Sequence, residues 1–101
     1  MNKIKIEIQH FTGCPNSPKM IENVKNAIVG LEDKIDYKEV LVENREKAAR
    51  IGFRGSPTLL INGEDFEGIS KPLHPGLTCR IYKKGLPSVE VIKEKLSLLI
   101  Y

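Results

Sequence analysis

Cys14 lies in the run Phe11-Thr12-Gly13-Cys14-Pro15-Asn16-Ser17-Pro18, after an alternating apolar segment and before one with helical spacing. A thiol at such a strand-to-helix turn faces the positive end of a helix, which stabilises its thiolate. Gly13 and Pro15 shape an exposed turn, which favours a reactive thiol over a small apolar filler. Its chemistry would be attack by the thiolate on a disulfide or an electrophile. Ser17 can hydrogen-bond the Cys14 sulfur, or satisfy free backbone donors in the first helical turn.

The second motif is Gly55-Ser56-Pro57-Thr58-Leu59-Leu60-Ile61-Asn62-Gly63, in which a proline opens a short apolar strand closed by Asn-Gly. Pro57 fits a cis bond after Ser56. That geometry leaves the backbone of Ser56 and Thr58 open to pair with a partner peptide. The other cysteine, Cys79, has two readings. It is a resolving thiol if residues 64–67 run back toward the Cys14 pole, so that the loop 69–78 sits over that pole. Otherwise it is a buried structural thiol on an edge strand. The first reading requires the two Cα atoms to lie within the ~7 Å that a disulfide tolerates.

The elements that must position these residues are readable from periodicity. Ile4, Ile6 and Ile8 alternate with Lys5 and Glu7, which predicts a first strand. From Pro15 the spacing of Met20, Ile21, Val24, Ala27, Ile28 and Leu31 is helical, with Gly30 at its end. Tyr37 to Val42 reads as a second strand, parallel to the first through a right-handed crossover. Asn44 caps a short helix from Arg45 to Ile51, stopped by Gly52. Thr58 to Ile61 is a third strand, and Asn62-Gly63 turns it into Glu64–Glu67. Residues 69–78 form a loop, Cys79 to Tyr82 a brief extended piece, and Pro87-Ser88 opens a last helix with Val89, Ile92, Leu96 and Leu99 on one face. The order βαβαββα predicts an α/β fold, a four-stranded mixed sheet with flanking helices, in one domain spanning 1–101.

Bulk properties narrow the function classes. A chain of 101 residues holds one core. Sixteen basic and thirteen acidic residues give a net charge of +3 with the signs interleaved. Lys83-Lys84 is the only adjacent basic pair, which argues against nucleic-acid binding. The opening Met1-Asn2-Lys3-Ile4-Lys5-Ile6-Glu7-Ile8 is a strand pattern rather than the apolar block of a signal peptide, and no segment approaches the ~18 apolar residues of a membrane span. The expectation is a cytoplasmic protein without a membrane partner, whose two cysteines are free, catalytic or metal-binding rather than permanently bridged.

This order of elements, with Cys14 after the first strand and Gly55-Ser56-Pro57-Thr58 before the third, resembles the thioredoxin-like superfamily over nearly the whole chain. The resemblance implies that Cys14 is the nucleophilic cysteine of a Cys-x-x-Cys site and that Pro57 is the cis-proline of the loop gripping the substrate backbone. Ser17 stands where the second cysteine belongs, and a hydroxyl cannot resolve a mixed disulfide. Cys14-Pro15-Asn16-Ser17 alone is therefore a monothiol site, and resolution falls to Cys79 or to an external thiol such as glutathione. The tail Leu77-Thr78-Cys79-Arg80-Ile81-Tyr82, followed by Gly85-x-Pro87-Ser88, is similar to small thioredoxin-like proteins associated with alkylmercury lyases, although no mercury-lyase residue set can be placed here.

The leading functional reading is thus a thiol–disulfide oxidoreductase or redox protein acting on protein or small-molecule thiols and disulfides, with no cofactor. The alternative is a non-enzymatic carrier of a soft metal or organomercurial held by Cys14 and Cys79. His10 and His74 could join that pair, since thiolate and imidazole suit zinc or copper, but no tight ligand spacing supports a metal site. Arg54 and Lys19 are candidates for positive potential near the thiol. A glutaredoxin-type site lacks its Gly-Gly-x-x-Asp segment here. An arsenate reductase would carry arginine where Pro18 stands, and a peroxiredoxin would carry threonine one residue earlier than Thr12.

Overall fold

The structure is a computed structural model that describes residues 3–100; Met1, Asn2 and Tyr101, at the ends of the expected 1–101 domain, lie outside the described residues. Alternation builds the central strand. In β1 (Ile4–His10) the three isoleucines are buried on one face while Lys5 is exposed. β1 pairs in parallel with β2 (Ile35–Leu41) and antiparallel with β3 (Thr58–Ile61), and β3 pairs with β4 (Glu64–Asp65), giving the order β2-β1-β3-β4. The crossover helix α1 (Ser17–Ala27) buries Met20, Val24 and Ala27 against the isoleucine face, beside Ile92 and Leu96 of α3 (Val89–Ile100). A smaller cluster of Val42, Ala48 and Phe53 surrounds α2 (Arg45–Ile51).

Local signals act as the sequence predicts at several boundaries. The Asn44 side chain accepts a hydrogen bond from the Lys47 N–H at 2.9 Å, and Gly52 closes α2 in the left-handed conformation. Asn62 and Gly63 both have positive φ, 53° and 82°, the pair of values that a two-residue hairpin of matching twist needs.

Several boundaries and one helix face differ from expectation. α1 begins at Ser17 rather than Pro15, because residues 14–16 form the turn that carries the thiol. β2 starts two residues earlier than predicted, at Ile35, whose side chain joins the core. β4 stops at Asp65 instead of Glu67, because the Asp65 carboxylate accepts hydrogen bonds from the Glu67 and Ile69 N–H groups and bends the chain away. In α3 the buried row runs Ile92, Leu96, Ile100, and Leu99 is left partly exposed, since a four-residue step keeps to one face.

Candidate functional site

Cys14 occupies the turn between β1 and α1, where Gly13 takes φ +97° and the Ser17 N–H closes back on the Cys14 carbonyl at 3.3 Å. Gly13 and Pro15 are exposed in this turn, but Cys14 between them is only 4% exposed. Two segments distant in the chain cover it. The Ser56 carbonyl lies 3.3 Å from its sulfur, and the Cys79 sulfur also lies 3.3 Å away. Cys79 itself is exposed, so it is not the buried edge-strand thiol of its structural reading.

Ser56 is the knot of the site. It is fully buried, and the peptide bond joining it to Pro57 is cis. Its hydroxyl accepts from the Phe11 N–H at 3.3 Å and bonds the Ser17 hydroxyl at 2.8 Å. Ser17 therefore touches the loop opposite, and it also helps, more weakly, to hold the Cys14 thiol below its usual value. The Ser56 backbone is not open to a partner peptide, as had been expected. Its N–H donates to the Thr78 carbonyl and its carbonyl accepts from the Arg80 N–H, each at 2.8 Å. Pro57 and Thr58 are buried as well, because Tyr82 donates its hydroxyl to the Pro57 carbonyl at 2.7 Å and Thr58 pairs with Gln9 in the sheet. The chain's own residues 78–82 fill the edge.

That segment is held by alternation. Arg80 and Tyr82 point inward and are buried, whereas Cys79 and Ile81 point outward and are exposed. The Arg80 guanidinium makes two parallel hydrogen bonds to Asp65, at 2.6 and 2.8 Å, a third to Glu67 at 3.4 Å, and stacks 4.3 Å above the Tyr82 ring. Its Nε has no partner, so the bidentate Asp65 pair is the main compensation for burying this charge. Gly55, at φ +105°, lets the segment approach; a Cβ there would sit 2.9 Å from that of Arg80. Arg80, Asp65 and Tyr82 were not among the residues singled out from sequence. The alternation of small or apolar with large polar side chains from Cys79 to Tyr82 is the signal that marks them.

The electrostatics follow from these contacts. Burial pushes the Cys14 thiol up, but the Ser56 hydroxyl, the Asn16 N–H at the helix start, the Cys79 thiol and the Ser17 hydroxyl outweigh it and hold the thiol below its usual value. Neither Arg54 nor Lys19 contributes: Arg54 donates to the Ile69 carbonyl at 2.7 Å and lies beside Asp65 instead. Cys79 is pushed up, first because its proton is held by Cys14, then by burial and by the charge on Cys14. When Cys14 is neutral it donates to the Ser56 carbonyl; when ionised it accepts the Cys79 proton bond. Of the two neighbouring thiols, Cys14 is thus the one that gives up its proton first.

Among the described residues no group of three or more histidine, cysteine or acidic side chains could hold a metal ion, so His10 and His74 do not complete a site with the two thiols. A cavity of about 470 Å³ between Phe66, Tyr82, Leu86 and Val91 contains neither cysteine. Among the described residues no helix is long and apolar enough to cross a membrane.

Comparison with known proteins agrees with this architecture. The family model for a thioredoxin domain matches residues 3–69. A thioredoxin of Methanocaldococcus jannaschii is 34% identical over 87 residues, covering 83% of this chain and 99% of that protein. A probable thioredoxin of Methanothermobacter marburgensis is 38% identical over 61 residues, covering 59% of this chain and 72% of that protein. The chain belongs to the thioredoxin family, and its second thiol comes from beyond the residues that the family model matches.

Proposed function

We propose that this protein performs thiol–disulfide exchange with Cys14 and Cys79 as its redox pair. The observation that carries the reading is the 3.3 Å separation of two sulfurs that stand 65 positions apart in the chain. A disulfide places its sulfurs about 2.05 Å apart, so the bond forms after a small side-chain rotation. In the reducing direction the two thiols give up two electrons and two protons, a substrate disulfide becomes two thiols, and the Cys14–Cys79 bond closes. Ser17 cannot form a disulfide, and Cys79 supplies the second thiol of the pair from another part of the chain. Ser56 and Ser17 position and stabilise the Cys14 sulfur.

The names of the relatives, thioredoxin and probable thioredoxin, support this class of chemistry and a partner that is a protein or small-molecule disulfide. A pair of free thiols in contact, able to open and close, suits a reducing, cytoplasmic setting better than a permanent bridge does. Equilibration with dithiothreitol and glutathione buffers tests the reading. A single two-electron transition, abolished by Cys14→Ser and by Cys79→Ser alike, is expected. Titration of two independent thiols would overturn it.

A further inference from the structure

The two sulfurs are not equivalent to an incoming partner. Cys14 is 4% exposed and is covered by Ser56, Ser17 and Cys79, whereas Cys79 is open to solvent. The backbone edge along which a peptide would be laid beside Cys14 is already filled, because Thr78 and Arg80 take both hydrogen-bonding groups of Ser56. The filling segment is anchored through the paired Arg80 and Asp65 side chains and the Tyr82–Pro57 hydrogen bond. With that anchor in place, Cys79 is the sulfur a partner meets first.

We propose, resting on the Cys14–Cys79 pair as the redox site, that exchange enters and leaves at Cys79. The exposed sulfur carries the mixed disulfide, and buried Cys14 acts only on Cys79. When the oxidised protein meets a thiol, the partner thiolate attacks the Cys79 sulfur. A partner–Cys79 disulfide forms, the Cys14–Cys79 bond breaks, and the electron pair leaves on Cys14. A second partner thiolate then attacks the partner sulfur, forming the partner disulfide and releasing Cys79, which takes up a proton. Two thiols have become one disulfide, and the protein disulfide has become two thiols. In the opposite direction the Cys79 proton passes to the Cys14 thiolate beside it, and Cys79 attacks the partner disulfide and expels one partner sulfur as its thiolate. Cys14 gives that proton to the departing thiolate and then attacks Cys79 in the mixed disulfide, expelling the other partner sulfur as its thiolate.

The surroundings of Cys14 suit this role. A leaving thiolate departs faster the better its charge is held, and Cys14, beside the Cys79 thiol and the Ser56–Ser17 pair, is held below its usual value. Cys79 has no comparable donors, so its proton is held against Cys14 while the protein is reduced. The sulfur that is stabilised is the one that is hidden, and the sulfur that is reachable is the one that is not stabilised. That division fits a buried resolving thiol with an exposed entry thiol, the reverse of the roles implied by the position of Cys14 alone.

The test uses the wild-type protein, oxidised and then mixed with glutathione. The reaction is stopped by acid within seconds, free thiols are alkylated, and peptides are mapped by mass spectrometry. Glutathione is expected on Cys79, with Cys14 in the same molecules alkylated as a free thiol. Glutathione on Cys14, with Cys79 alkylated, would overturn the order of attack while leaving the redox pair standing. Failure of the oxidised protein to hold any Cys14–Cys79 bond would overturn both.

Discussion

Asp65 grips Arg80 through two hydrogen bonds, at 2.6 and 2.8 Å, one residue before which the chain presents the exposed thiol of Cys79. Both side chains are almost fully enclosed, 2% and 4% exposed. The placement of the Cys79 sulfur is thus delegated to a buried ion pair beside it. A buried pair that loses one partner leaves the other charge uncompensated, which costs about 3–5 kcal/mol. Asp65→Asn should therefore lower the unfolding free energy by about that much in a denaturant titration, and should loosen the link between the two thiols. An unchanged unfolding midpoint would show that Glu67 alone suffices to hold Arg80.

The same pair predicts acid sensitivity. Burial raises the Asp65 carboxyl, but hydrogen bonds from Arg80 and from the Ile69 and Glu67 N–H groups, with the Arg80 charge, hold it below the ordinary carboxylate value. A group whose folded value is depressed adds stability that is complete above its unfolded value and is lost as the pH falls through that range toward the folded one. Wild-type stability should fall below about pH 4, and Asp65→Asn should flatten that part of the curve. The check is urea unfolding at a series of pH values.

Gly55 is the point at which backbone crowding and thiol geometry meet. Alanine there adopts an unfavourable positive φ and drives a Cβ to 2.9 Å from that of Arg80. The expected result of Gly55→Ala is a loss of about 1–3 kcal/mol and a displaced 78–80 segment. Cys14, no longer covered, should then be alkylated by iodoacetamide faster than in the wild type. Equal rates would mean that the segment does not guard the buried sulfur.

Thiol titration of the reduced protein should resolve two steps, Cys14 below and Cys79 above the ordinary thiol value. Cys14→Ser removes the acceptor that holds the Cys79 proton, so Cys79 should then titrate lower than in the wild type. Ser56→Ala removes the hydroxyl whose neighbourhood lowers the Cys14 thiol most, so Cys14 should titrate higher. Since a stabilised thiolate favours the reduced form, Ser56→Ala should also make the pair more reducing, by about 30 mV for each unit that Cys14 rises. Ultraviolet absorbance of the thiolate against pH, with a glutathione redox titration, measures both effects.

The supports of the site were legible in the chain where the signal is local. Ile4, Ile6 and Ile8 alternate, Met20 and Val24 keep helical spacing, and Asn44, Gly52 and Asn62-Gly63 mark ends and turns through backbone chemistry that depends on adjacent residues alone. Cys14 and Pro57 were set facing one another by the family resemblance, and the antiparallel pairing of β3 with β1 is what brings their two turns to one end of the sheet. What was not legible is the path of residues 69–82. Its course depends on contacts such as Arg80 to Asp65 and Ser56 to Thr78, which no short-range pattern encodes. The openness of Cys14 was misjudged for the same reason, since the residue that covers it arrives 65 positions later.

The proposed function stands on Cys14 and Cys79 forming one redox pair. Its most direct test is mild oxidation of the dilute, reduced protein followed by non-reducing peptide mapping. An intramolecular bond joining the Cys14 and Cys79 peptides, fully reversed by dithiothreitol, is the predicted result. Intermolecular dimers through one cysteine, with the other remaining a free thiol, would contradict it.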